Sequence, residues 1–123
     1  MKSSSRNPSD LSPELTSRRR AIRLAAPNGL TIRLSDPKIQ AEVLDISHGG
    51  VGLATNFPLR HGGIYTITFR LGTRTIACSA RAAHVRRHPE GAWRAGMAFL
   101  PDEGLERAEQ LVDELLDGLL DFS

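Results

Sequence analysis

Ile64-Tyr65-Thr66-Ile67-Thr68-Phe69-Arg70-Leu71 alternates along its whole length. Tyr65, Ile67, Phe69 and Leu71 fall on one face of an extended chain, with Thr66, Thr68 and Arg70 on the other, the period of a half-buried β-strand. The pattern spreads in both directions. Downstream, Thr75–Val85 is β-compatible, with Ile76, Cys78 and Ala80 on one side, and Trp93, Ala95, Met97 and Phe99 alternate again after a His88-Pro89-Glu90-Gly91 turn. Trp93 is expected in the core. Upstream, Ile39–Ile46 and Val51–Thr55 read as strands separated by the glycine-rich turn His48-Gly49-Gly50, and Pro58–Gly63 reads as a loop. Asn28-Gly29 is a strong hairpin signal, so Ile22–Ala26 and Leu30–Leu34 are expected to pair with each other.

The period changes after Pro101. Leu105, Ala108, Leu111, Val112, Leu115, Leu116 and Leu119 recur at helical spacing, behind an Asp102 suited to capping. Strands first and one helix last predict a mainly β, α+β domain, most simply a small antiparallel barrel with the helix packed on it. The predicted organisation is a flexible tail over 1–17, a barrel with an arginine segment over 18–101, and a helix over 102–121. The tail is rich in Ser, Pro and charge and carries too little apolar surface to offset the entropy of ordering.

At 123 residues the chain is the length of one ordinary domain. Its single cysteine, Cys78, allows no internal disulfide, and His48, His61, His84 and His88 show no zinc-ligand spacing, so no metal is expected. No apolar run approaches the roughly 20 residues that span a bilayer. A cytoplasmic protein without membrane contact is the expectation. A net charge of +2 conceals a split. Basic residues dominate Met1–Gln40 and Arg60–Arg94, whereas Pro101–Ser123 sets Asp102, Glu103, Glu106, Glu109, Asp113, Glu114, Asp117 and Asp121 against Arg107 alone. A basic face for an anionic partner is implied, with an acidic element elsewhere.

Two local patterns carry chemistry. Arg18-Arg19-Arg20-Ala21-Ile22-Arg23 holds Arg-x-x-x-Arg at Arg19 and Arg23, and Asp45-Ile46-Ser47-His48-Gly49-Gly50 holds Asp-x-Ser-x-x-Gly. Each alone is what a basic stretch or a turn contains. In this order, among antiparallel strands and with Gly96-Met97-Ala98-Phe99 closing the last of them, the chain resembles the PilZ family of cyclic di-GMP receptors over about Arg18–Leu100. The resemblance implies a six-stranded antiparallel barrel with a C-terminal helix, and a binding domain rather than an enzyme.

It also implies roles. Arg19 and Arg23 would contact phosphate and guanine edges, for which the planar guanidinium fork is suited. Asp45 and Ser47 would bind guanine and nearby polar atoms. Gly50 would let the backbone approach the ligand or take positive φ. Arg18, directly ahead of the first motif, is associated in the family with a stacked pair of ligand molecules. His84 lies where many relatives carry a ligand-flanking Trp, and Gly49 belongs to the same turn. The expected mechanism is ordering of the arginine segment onto the barrel by cyclic di-GMP, read out by an unknown downstream protein without any cofactor.

Ser47 and His48 do not read as a nucleophile pair, because neighbours on a strand point apart and no acid is spaced to orient the histidine. Two alternatives are a barrel of the same type that binds protein without ligand, and a small basic barrel for single-stranded nucleic acid. The latter needs exposed aromatics for stacking, and Phe57, Tyr65, Phe69, Trp93, Phe99 and Phe122 fall mostly at core-facing positions, so nucleic acid is not the expected partner.

Overall fold

The computed structural model describes residues 22–121. Seven strands and one helix follow in order: β1 (Leu24–Ala25), β2 (Thr31–Leu34), β3 (Ala41–Ile46), β4 (Gly50–Thr55), β5 (Ile64–Leu71), β6 (Arg74–Arg87), β7 (Trp93–Phe99) and α1 (Leu105–Asp121). All pairings are antiparallel in one sheet of order β1-β3-β4-β7-β6-β5-β2. β2 also approaches β3, so the sheet curls towards a barrel. Six strands of four or more residues agree with the expected six; the seventh is the two-residue β1 on the edge.

The expected hairpin between Ile22–Ala26 and Leu30–Leu34 does not form. The turn itself is present, with Leu30 N donating to Pro27 O at 3.2 Å and Gly29 at φ +88°. Asn28 does not take positive φ, however, so this is not the type I′ turn whose twist continues a hairpin. The chain is redirected instead: β1 pairs with Asp45 and Ile46 of β3, and β2 pairs with β5 at the other end of the strand order. Gly72, at φ +62° in the first central position, makes the sharp β5–β6 turn that a type II′ hairpin calls for.

The interior side of the sheet is the face that alternation singled out. Ile46, Val51, Leu53, Ile67, Phe69, Ile76, Ala80 and Met97 are buried there, with Phe69 and Phe99 edge to face at 6.1 Å. Two aromatics depart from expectation. Phe57 is 54% exposed, and Trp93 is only half-buried, with the Arg87 guanidinium 5.7 Å over its ring.

The helix closes the core by packing on β6 and burying Ala108, Leu111, Val112 and Leu116. Asp102 starts it, accepting from Gly104 N at 2.9 Å while its other oxygen accepts from Ser79 N at 2.9 Å. Hydrogen bonding from Ser79 above all holds the Asp102 carboxyl below its ordinary range. Beneath this start lies Cys78, whose thiol is pushed up to about 12 by burial, with the Asp102 charge adding to it. A thiol raised by about three pKa units forms thiolate about a thousandfold less readily, and the thiolate is the nucleophile. Iodoacetamide at pH 8 is expected to leave native Cys78 untouched and to label it in denaturant; rapid native labelling, read by mass spectrometry, would contradict this burial.

Candidate functional site

Asp45 faces outward because β3 carries an extra residue. Val43 sits opposite Leu53 and Ile46 opposite Val51, so Leu44 and Asp45 together oppose Gly52. Such a bulge turns two successive side chains to one face. Val43 and Ile46 thereby remain in the core while Leu44 and Asp45 look out.

The same device recurs in β6. Ala82 opposes Met97 and Val85 opposes Ala95, so Ala83 and His84 share Gly96 as partner. The inward positions are even up to Ala82 and odd from Val85, which leaves His84 and Arg86 facing out. Gly52 and Gly96 in turn pair with each other across β4 and β7. A continuous row results: Leu44 and Asp45, then two glycines, then Ala83 and His84.

The row forms the floor and two walls of an open concavity of about 880 Å³ on the outer face, whose lining also includes Arg23, His61, Arg86 and Arg94. The two glycines keep its floor low. A Cβ on Gly52 would stand 2.5 Å from Asp45 Oδ1 and displace that carboxylate, whereas one on Gly96 would only touch the His84 ring at 3.4 Å.

Arg23, just ahead of β1, spans the first and second sequence motifs. Its Nε and Nη2 donate to Asp45 Oδ1 at 3.0 and 2.7 Å, and its Nη1 donates to Ser47 Oγ at 3.2 Å. Among the described residues no hydrogen bond falls on Asp45 Oδ2, which leaves that oxygen open to a further donor. Ser47 is buried, and both its N and its Oγ donate to Gly50 O, at 2.8 and 3.4 Å, which closes the turn. Gly50 does not take positive φ; a Cβ there would lie 1.9 Å from Met97 O, so the close approach it permits is to β7. Gly49 lines the concavity with open space around its α-carbon. Arg18 and Arg19 lie outside the described residues, as does the tail over 1–17.

The expectation that no acid orients His48 is corrected by the fold. His48, only 6% exposed, donates from Nε2 to Asp113 Oδ1 of α1 at 2.7 Å, a partner 65 residues away. Its Nδ1 is buried without a hydrogen-bond partner, so neither ring nitrogen engages Ser47 and no Ser–His nucleophile pair exists. Arg74 and Glu114 form a second tie between β6 and α1.

Reading the motifs alone missed Gly52, His61, Arg86 and Arg94, and took Gly96 only as the start of the closing Gly96-Met97-Ala98-Phe99 segment. A signal existed in β7, where Arg94, Gly96 and Ala98 occupy the positions between the apolar ones and so mark the outer face as a charged, small-floored surface. Among the described residues no Phe, Tyr or Trp lines the concavity, no group of three or more His, Cys, Asp or Glu could hold a metal ion, and no helix is long and apolar enough to cross a membrane.

Comparison with known proteins identifies the fold and the family. The fold is similar to the crystal structure of an uncharacterized Legionella protein, with a TM-score of 0.61 at 11% identity over 79% of this chain and 96% of that one. No curated protein matches the chain. The PilZ domain model matches residues 17–117, from ahead of the arginine cluster to within α1. The chain therefore belongs to the PilZ domain family, in general a family of cyclic di-GMP-binding receptors and effectors rather than of catalysts.

Proposed function

We propose that this chain is a cyclic di-GMP receptor domain whose ligand sits in the concavity between Asp45 and His84. The observation that carries the reading is Arg23: its guanidinium bridges Asp45 and Ser47 from a position 22 residues away, so the two motifs meet at one place. The ligand has guanine edges that both donate and accept, and phosphodiesters that accept. Asp45 Oδ2 accepts from guanine N1–H and N2–H, Arg23 donates to O6, N7 or phosphate, and the glycine floor lets a flat base lie close to the sheet.

Binding draws Arg18 and Arg19 to the same ligand, and the reshaped surface is what a downstream protein reads, with Arg18 serving a second stacked molecule. Gly49 and Gly50 form the turn that carries Ser47, and His84 flanks the base. The role is non-catalytic and uses no cofactor. A single-strand nucleic-acid platform is disfavoured, since such surfaces stack bases on aromatics.

An amide NMR titration with cyclic di-GMP tests the reading. Shifts are expected at Arg23, Asp45, Ser47, Gly52 and Gly96, with new protection in 10–25. A spectrum that stays unchanged at saturating ligand, or that moves only with a short oligonucleotide, rejects it.

A further inference from the structure

We infer that Arg86 and Arg94 form an anion subsite at the edge of the concavity, taking a phosphodiester of the bound cyclic dinucleotide. The inference rests on the receptor reading above and assigns residues outside both sequence motifs.

Three observations converge on it. First, Arg86 and Arg94 are directly opposed cross-strand partners on β6 and β7, an arrangement in which like charges repel. Second, neither has a carboxylate or other hydrogen-bond partner among the described residues. The carboxylate in their row is Glu42, which is opposite Ala54, itself opposite Arg94, and so about 10 Å away between Cα atoms across two strand spacings. Third, both line the same concavity as Arg23 and Asp45, one row along from the Gly52–Gly96 floor.

The β6 bulge is what brings them together. Without the extra residue at Ala83, the even positions of β6 would continue inward and Arg86 would point at the core. With it, Arg86 faces out beside Arg94. A cross-strand pair of unneutralised guanidinium forks is complementary to a phosphodiester, which offers two unesterified oxygens and one negative charge. Asp45 faces guanine donors at one end of the concavity, and the arginine pair faces charge at the other. The site therefore has polarity, and it selects a dinucleotide long enough to reach both ends over a mononucleotide.

Titration calorimetry with cyclic di-GMP tests this on three proteins: the wild type, the double variant Arg86→Gln/Arg94→Gln, and Arg23→Ala. The double variant is expected to melt no lower than the wild type, because a repulsive pair is removed. It should bind about tenfold more weakly, with a shallower dependence of affinity on salt. If the phosphodiester belongs to a second, stacked molecule, the same variant keeps the first binding event and loses the second equivalent; if it belongs to the first molecule, affinity falls at unchanged stoichiometry. Either result supports the subsite, and Arg86→Lys/Arg94→Lys should recover part of the salt dependence.

Guanosine, an uncharged second probe, should bind the wild type and the double variant alike. The subsite is overturned if the double variant matches the wild type in affinity, stoichiometry and salt slope while Arg23→Ala loses binding. A wild type that gives no heat with cyclic di-GMP overturns the receptor reading itself, and the subsite with it.

Discussion

Gly50→Ala is expected to lower the melting temperature by roughly 15 °C, a loss of about 3 kcal/mol or more. The added Cβ would stand 1.9 Å from Met97 O, 3.0 Å from Met97 C and 3.3 Å from the α-carbon of Ala98. These are backbone atoms of a central strand, and β7 cannot retreat cheaply, because Phe99 N donates to Gly49 O at 2.9 Å and the β4–β7 register runs unbroken from Gly50 to Thr55. Set against a domain stability of about 5 to 15 kcal/mol, such a loss leaves a marginal protein. Gly49 is the control. A Cβ added there would meet nothing within 4 Å, and the residue has no positive φ, so Gly49→Ala should stay within about 0.5 kcal/mol of the wild type. Thermal melts that leave Gly50→Ala as stable as Gly49→Ala would mean that the two strands are not this close.

Arg23→Ala is expected to do the reverse, weakening cyclic di-GMP binding by about ten- to a hundredfold while sparing the fold. Its bridge to Asp45 joins side chains 45% and 40% exposed, and an ion pair that open to water contributes at most about 1 kcal/mol to stability. Charge-assisted hydrogen bonds to a bound anion or base are worth about 1.5 to 3 kcal/mol each, and about 1.4 kcal/mol is tenfold in affinity. Calorimetry and a melt on the same sample separate the two effects. Unchanged affinity would remove Arg23 from the site, whereas a collapse in stability would show that the bridge holds β1 in place. Arg23→Lys keeps the charge without the fork and should fall between alanine and the wild type.

Much of this was legible in the amino-acid order alone, and the exceptions share a cause. The period of two in β5 and β7 and the helical spacing after Pro101 survive folding because burial of one face enforces them. The motif residues Arg23, Asp45 and Ser47 meet as their chemistry suggests. What escaped was register. A bulge is a single ordinary residue, here near Leu44 or Ala83, and neither carries a compositional mark. Without those shifts the outer face cannot be assembled on paper, so Arg86, Arg94 and the glycine pair stayed invisible as a group. Asn28-Gly29 misled for a related reason. A local turn signal states that the chain bends and is silent about which strand it bends towards. The His48–Asp113 contact joins residues too distant in sequence for any local pattern to expose.

That contact sets a lower bound on how small a working fragment can be. Asp113 is the acceptor for an imidazole seated in the hinge of the Ser47 turn, and α1 covers the apolar side of β6. A version of the chain cut before the helix would retain every residue of both motifs. It would nonetheless strip His48 of its carboxylate, remove the Arg74–Glu114 tie and uncover the apolar side of β6 around Cys78, so such a truncation is expected to lose stability although both motifs remain intact.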